Sequence, residues 1–201
     1  MNFRIDAYLG SNITLVLDSL DLARVSRDKI RASVSQAAMM DTPDLLVVMA
    51  PPGIVIQVAE KRIIVGDRTQ SAPGQVDVWS PATTALAAAS EPKIVAFGFN
   101  YDVGVILEGV TDAATHLTRL FLPTADALQA SLQVQKLSAI PRLVYFRDSV
   151  QYDLRLEPVE GPKIQAHLNA HFAGRPLPDL AELRQSFTAE FDEVSRVLGA
   201  L

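Results

Sequence analysis

The sequence predicts an α+β fold: antiparallel β-meanders with helices packed on one face. Three observations carry this. Short runs rich in valine and isoleucine follow one another across tight breaks such as Pro51-Pro52-Gly53 and Glu60-Lys61, the pattern of strands joined by turns. Leu180, Leu183, Phe187, Phe191, Val194 and Leu198 recur three or four residues apart, which places them on one stripe of a helix. Hairpins also alternate with single helices and few long crossovers, which favours an antiparallel sheet over a doubly wound one.

Each element has a local reason. Phe3, Ile5, Ala7 and Leu9 alternate with polar neighbours, and Gly10-Ser11-Asn12 has turn chemistry. A hairpin with arms at 3–9 and 13–17 is therefore expected to open the chain. Ser26 caps a helix over 27–39, in which Ile30 and Val34 form a thin apolar stripe, and Asp41-Thr42-Pro43-Asp44 stops it. Strands follow at 45–50, 54–59 and 62–65, then a loop over 66–75. Ser80-Pro81 starts a helix over 81–89, because serine caps and proline suits the first helical position; Glu91-Pro92 ends it.

Strands at 93–99 and 103–108 flank Asn100-Tyr101-Asp102 as another hairpin. Thr111 caps a helix over 112–121, and Pro123-Thr124 interrupts before a second stretch at 125–133. Strands at 143–147, 150–157 and 163–172 form the last meander. The final helix spans 179–198, with Asp179 and Glu182 in its first turn and Arg196 near its end, as the helix dipole favours.

The order of elements admits two tandem ββαβββα halves, residues 2–90 and 93–201, related by a pseudo-twofold axis within one compact domain, 1–201. Leu15-Val16-Leu17-Asp18-Ser19-Leu20 resembles Val105-Ile106-Leu107-Glu108-Gly109-Val110, and Leu46-Val47-Val48-Met49 corresponds to Leu143-Val144-Tyr145-Phe146. A chance match of loosely drawn elements fits as well.

Composition narrows the function. The 201 residues are 49% hydrophobic and 20% charged, an ordinary globular balance. The chain has no cysteine, which excludes disulfides, thiolate metal sites and a cysteine nucleophile. A net charge of −5 disfavours nucleic acid and anionic membrane as partners. The longest apolar stretch, 45–58, is broken by Pro51, Pro52, Gly53 and Gln57, and no apolar stretch follows a basic start. A soluble, cytoplasmic protein is expected.

The residues with most chemical potential lie late in the chain. His167 and His171 would share a metal ion on a helix but stand roughly 13 Å apart on a strand, at about 3.3 Å per residue. The unbroken alternation of Ile164, Ala166, Leu168, Ala170 and Phe172 with polar residues favours the strand. Pro162, Gly174, alanine and glutamine speak for the helix. Paired symmetrically about Glu160, the two strands would set Glu157 against Lys163, Arg155 against Gln165 and Asp153 against His167. An aspartate beside a histidine can serve acid–base work or simply pair charges on a wet sheet face.

No catalytic, phosphate-binding or metal motif accompanies these residues, and no cofactor is implied. The expected function is therefore binding without catalysis, with a second copy or another protein as partner. The alternative is a small-molecule-binding domain or enzyme that uses Asp153, Arg155, His167, Asn169 and His171.

Overall fold

Period-two alternation buries every second side chain of a strand, and here it extends across an entire sheet. The structure, a computed structural model, describes residues 2–34, 37–90 and 92–200. Among these residues nine strands form one antiparallel sheet. They are β1 (Phe3–Leu17), β2 (Ala38–Asp41), β3 (Leu45–Ala50), β4 (Ile54–Ala59), β5 (Arg62–Asp67), β6 (Ile94–Leu107), β7 (Arg142–Arg147), β8 (Val150–Pro158) and β9 (Lys163–Ala173), in the order β2-β3-β4-β5-β1-β6-β9-β8-β7. Five α-helices accompany them: α1 (Arg27–Ser33), α2 (Trp79–Ala88), α3 (Ala113–Phe121), α4 (Ala125–Leu132) and α5 (Leu180–Ala200). The α+β class is as the sequence predicts.

The register makes the two faces explicit. Val48, Ile56, Val65, Ile13, Phe99, Ala170 and Tyr152 are consecutive partners across β3, β4, β5, β1, β6, β9 and β8, and all are buried. The next row on the same strands is Met49, Val55, Gly66, Asn12, Asn100, Asn169 and Asp153, none of them buried. Ile30 of α1, Trp79 of α2, Leu117 of α3 and Phe187 of α5 join the first row in one core. The helices thus cover one face, and the other is left open.

α5 forms the keel of that core. Leu183, Phe187, Phe191, Val194 and Leu198 are buried along its stripe, as their spacing predicts. Phe187 meets the rings of Trp79, Phe99 and Tyr101 with centroids 5.1, 5.3 and 4.8 Å away. The buried Tyr101 hydroxyl donates to the Phe187 carbonyl at 2.6 Å. That bond satisfies a phenol that would otherwise be stranded in apolar surroundings.

Several local expectations are corrected. Neither Gly10-Ser11-Asn12 nor Asn100-Tyr101-Asp102 turns: each lies within one long strand, and these two stretches pair with each other in register. Having a neighbouring strand on both sides outweighs a local preference for turning. Extra residues in β1 are absorbed as bulges near Ala7 and Gly10. The predicted ββαβββα halves are therefore β-α-ββββ-α and β-αα-βββ-α.

The first helix also ends early, at Ser33, and Met39 lies in β2 instead. β3 offers an edge to this segment, and Asp41 is anchored by Arg27 at 3.0 Å. Ser26 caps α1 as expected, accepting from the Lys29 amide. The next helix starts at Trp79 rather than Pro81, because the Asp77 carboxylate accepts from the Trp79 and Ser80 amides at 3.2 Å each. Asp112, not Thr111, caps α3. The stop predicted at Glu91-Pro92 falls partly outside the described residues.

Candidate functional site

The open face divides by chemistry. On β2 to β5 it is mostly apolar; on β1, β6, β9 and β8 it is polar. Alternation dictates this, since the residues between the buried positions of β9 are Gln165, His167, Asn169 and His171, and those of β8 include Asp153 and Arg155. Residues 163–172 are strand, so all five predicted site residues share one face. His167 and His171 stand too far apart for one ion by strand geometry. No group of three or more histidine, cysteine, aspartate or glutamate side chains among the described residues is placed to hold a metal ion.

The neighbours of these residues differ from expectation. Asp153 faces Asn169, and Arg155 faces His167. The hairpin is centred on Gly161, one residue past Glu160. Gly161 takes the left-handed conformation, with φ +61°, and the Val159 amide donates to the Lys163 carbonyl at 2.9 Å. That turn chemistry moves every cross-strand pair by two positions. The carboxylate beside His167 is Asp102 of β6, with Nδ1 and Oδ1 2.7 Å apart and both side chains about a third exposed.

Asp153 is instead held by Arg142 of β7, through Nε at 2.9 Å and Nη2 at 2.5 Å. The Arg142 hydrogen bonds hold the Asp153 carboxyl below the usual carboxylate range, helped by the charges of His167 and Arg155 and opposed by burial. Arg155 pairs with Glu157 at 3.3 Å. Each charge on this part of the face therefore has an opposite neighbour.

Between the charged pairs runs an amide ladder. Asn169 donates to the Asn100 side-chain oxygen at 2.7 Å, and Asn100 donates to that of Asn12 at 2.7 Å and to the Thr14 hydroxyl at 3.3 Å. The ladder stitches β9, β6 and β1 together on the uncovered side. Replacing Asn100 by alanine removes these bonds and leaves two half-buried amides partly unsatisfied. A loss of about 1–2 kcal/mol is expected in urea unfolding, with the fold retained.

The ladder ends at a shallow depression of about 290 Å³, lined by Gly10, Asn12, Gln57, Gly66, Arg68 and Asp102 among others. Gly10 and Gly66 both line the hollow, and a Cβ added at either would stand 3.4 Å from another lining residue, Asp67 O for Gly10 and Asn12 Cβ for Gly66. None of the five predicted residues lines it; His167 reaches it only through Asp102. Asn12, Thr14, Asn100 and Asp102 do not stand out in the sequence, because Gly10-Ser11-Asn12 and Asn100-Tyr101-Asp102 both resemble turns. The signal that survives is the alternation of Phe97, Phe99, Tyr101, Val103 and Val105, which continues through Asn100 and Asp102 without a break.

Among the described residues the face offers both donors and acceptors, with the Asp102–His167 pair at the margin of the depression. No protein-family model matches the sequence, and a search of curated proteins finds no relative. No helix among the described residues is long and apolar enough to cross a membrane.

Proposed function

We propose that this chain is a non-enzymatic binding protein that presents the open face of its sheet to another polypeptide. The observation that carries the reading is the uncovered face itself, whose polar half carries Asp153, Arg155, His167, Asn169 and His171, the first four already organised by internal pairing. A pre-ordered polar surface loses little side-chain freedom when a partner docks. The partner is a second copy of the chain or a different protein. A cytoplasmic setting suits a chain without cysteine.

We place the binding face on a single domain built by duplication. Two halves of the sheet have the same strand order, β3-β4-β5-β1 and β7-β8-β9-β6. The resemblance of residues 15–20 to 105–110 implies an offset of 90 residues. Ser11 and Tyr101, separated by that same offset, are direct partners in the central β1–β6 pair. Equivalent residues meet in this way where a twofold axis crosses a sheet.

A photo-crosslinking side chain at Gln57 or Gln165, both on the open face, tests the reading against one at Glu182 on the exposed side of α5. One discrete polypeptide adduct from the face positions, absent from Glu182 and lost on Arg155→Glu, is expected. An adduct of twice the chain mass identifies a second copy. No adduct, or the same adducts from all three positions, overturns the proposal. The second reading, a small-molecule site, draws on the Asp102–His167 pair beside the depression. Saturable binding of a small metabolite that His167→Ala abolishes would favour it.

A further inference from the structure

We propose that the cavity between α1, α2 and the β3–β4 turn binds a small primary amine with an apolar body, whose ammonium pairs with the buried carboxylate of Asp67. The cavity lies on the covered side of the sheet. The inference therefore goes beyond the polypeptide-binding reading of the open face and stands or falls separately from it.

One row of the sheet carries it. Counted outward from the central Ser11–Tyr101 pair, the row runs through Asp67, Ile54 and Ala50 on one side and through Leu168, Leu154 and Leu143 on the other. Alternation points these side chains toward the helices. The second arm is ordinary core: Tyr101, Leu168 and Leu154 are buried, and the Tyr101 hydroxyl has its acceptor in the Phe187 carbonyl. The first arm sets serine, aspartate and alanine at the positions matching that tyrosine, Leu168 and Leu143.

Two polar groups on the first arm lack partners. Ser11 is 7% exposed, and its Oγ makes no hydrogen bond. Asp67, its direct neighbour on β5, is 6% exposed. The Asp67 carboxylate accepts from the Thr69 amide at 2.6 Å, and no lysine, arginine or histidine among the described residues pairs with it. A buried carboxylate without a counter-charge is costly, so a ligand that brings a cation is favoured.

The space for that ligand is present. Ala50, Ile54 and Asp67 floor an open cavity of about 540 Å³, within the range of small-molecule sites. Pro51, Pro52 and Pro81 give it apolar walls, Thr69 and Ser71 add hydroxyls, and no lysine, arginine or histidine lines it. Its other carboxylate, Asp77, is already engaged: it caps α2 and lies 3.7 Å from Arg184. Asp67 is thus the uncommitted charge of the lining, which suits a single ammonium with three donors for the carboxylate and the hydroxyls. A metal ion matches less well, because no group of three or more carboxylate or histidine side chains among the described residues is placed to hold one.

The probes are cyclohexylamine and its uncharged counterpart cyclohexanol. Titrated at millimolar concentration into isotope-labelled protein, the amine is expected to shift the amide resonances of Thr69, Ser71 and Asp77 saturably, and the alcohol to bind about tenfold more weakly or less. Asp67→Asn keeps an acceptor for the Thr69 amide and should weaken amine binding by about tenfold or more. Without ligand, the same variant should unfold at higher urea, because an unpaired buried charge is gone. Ser71→Phe fills part of the cavity, leaves the charge in place and should also weaken binding. Asp126→Asn, on exposed α4, should change nothing. Amine binding that survives Asp67→Asn, equal binding of amine and alcohol, no saturable response, or shifts centred elsewhere overturns the proposal. A less stable Asp67→Asn protein overturns it too, by making the carboxylate structural, as does saturable binding of calcium without any response to the amine. Crosslinks from Gln57 and Gln165 arise on the opposite face, so failure here and failure of the polypeptide-binding reading are distinguishable.

Discussion

Replacing Phe187 by alanine is expected to destabilise the fold by roughly 3–5 kcal/mol, the range for a fully buried phenylalanine. The side chain has no solvent exposure. It packs edge-on against Trp79 of α2 and Phe99 of β6, an arrangement worth about 0.5–1.5 kcal/mol per pair beyond burial. The residue also fixes the position of α5, since its carbonyl receives the Tyr101 hydroxyl. Urea unfolding followed by tryptophan fluorescence reports the change directly, because Trp79 is the only tryptophan. Phe187→Leu keeps most of the apolar volume and should lose less. A loss for alanine under about 1 kcal/mol would show that α5 is not the keel described above.

Exchange of Glu193 for glutamine is expected to lower stability by about 2 kcal/mol at neutral pH. The carboxylate is buried in α5, with 1% side-chain exposure. It accepts from the Tyr145 hydroxyl at 2.8 Å, Arg147 Nη1 at 2.5 Å and Arg196 Nε at 2.8 Å. Burial works to raise its pKa. The hydrogen bonds from Arg196 and Tyr145 and the charge of Arg147 outweigh burial and hold the group below its ordinary value of 4.5.

A carboxyl depressed in the folded state contributes fully above its unfolded pKa and loses that contribution as pH falls through the folded value. The difference between wild type and Glu193→Gln should therefore be largest at neutral pH and shrink below about pH 4.5. Urea titrations across that range measure it. A difference that stays constant into strong acid would mean that the charge of Glu193 is not what holds α5 to β7.

How legible these features were depends on how local their causes are. The apolar stripe of α5 and the alternation of β9 are written within single segments, and both elements form where the pattern places them. β1 and β6 were harder, because what keeps Asn12 and Asn100 extended is the other strand, 88 residues away. β2 was hidden for a similar reason: alanine and methionine favour helix, and only the free edge of β3 makes them a strand.

The candidate site follows the same rule. Alternation alone puts Asp153, Arg155, His167, Asn169 and His171 on one face. Which carboxylate meets His167 depends on where the Gly161 turn centres the hairpin and on the arrival of β6 from far away in sequence. Neither is contained in the alternation. The Asp153–His167 pair expected from symmetry about Glu160 misses by a single turn position, and Asp102 lies in Asn100-Tyr101-Asp102, whose residues locally favour a hairpin turn.

The central β1–β6 pair has a consequence for how the protein is made. β1 leaves the ribosome about ninety residues before β6, and at roughly 5–20 residues per second the wait is on the order of 5–20 s. During that time β5 can close one side of β1, but the side destined for β6 stays open, with Ile13 and Leu15 beside it. The nascent first half thus carries an unfinished edge, the kind of unpaired strand that invites pairing with another chain. Slower translation between residues 17 and 94 should lower the yield of soluble protein, although no residue of the finished chain has changed.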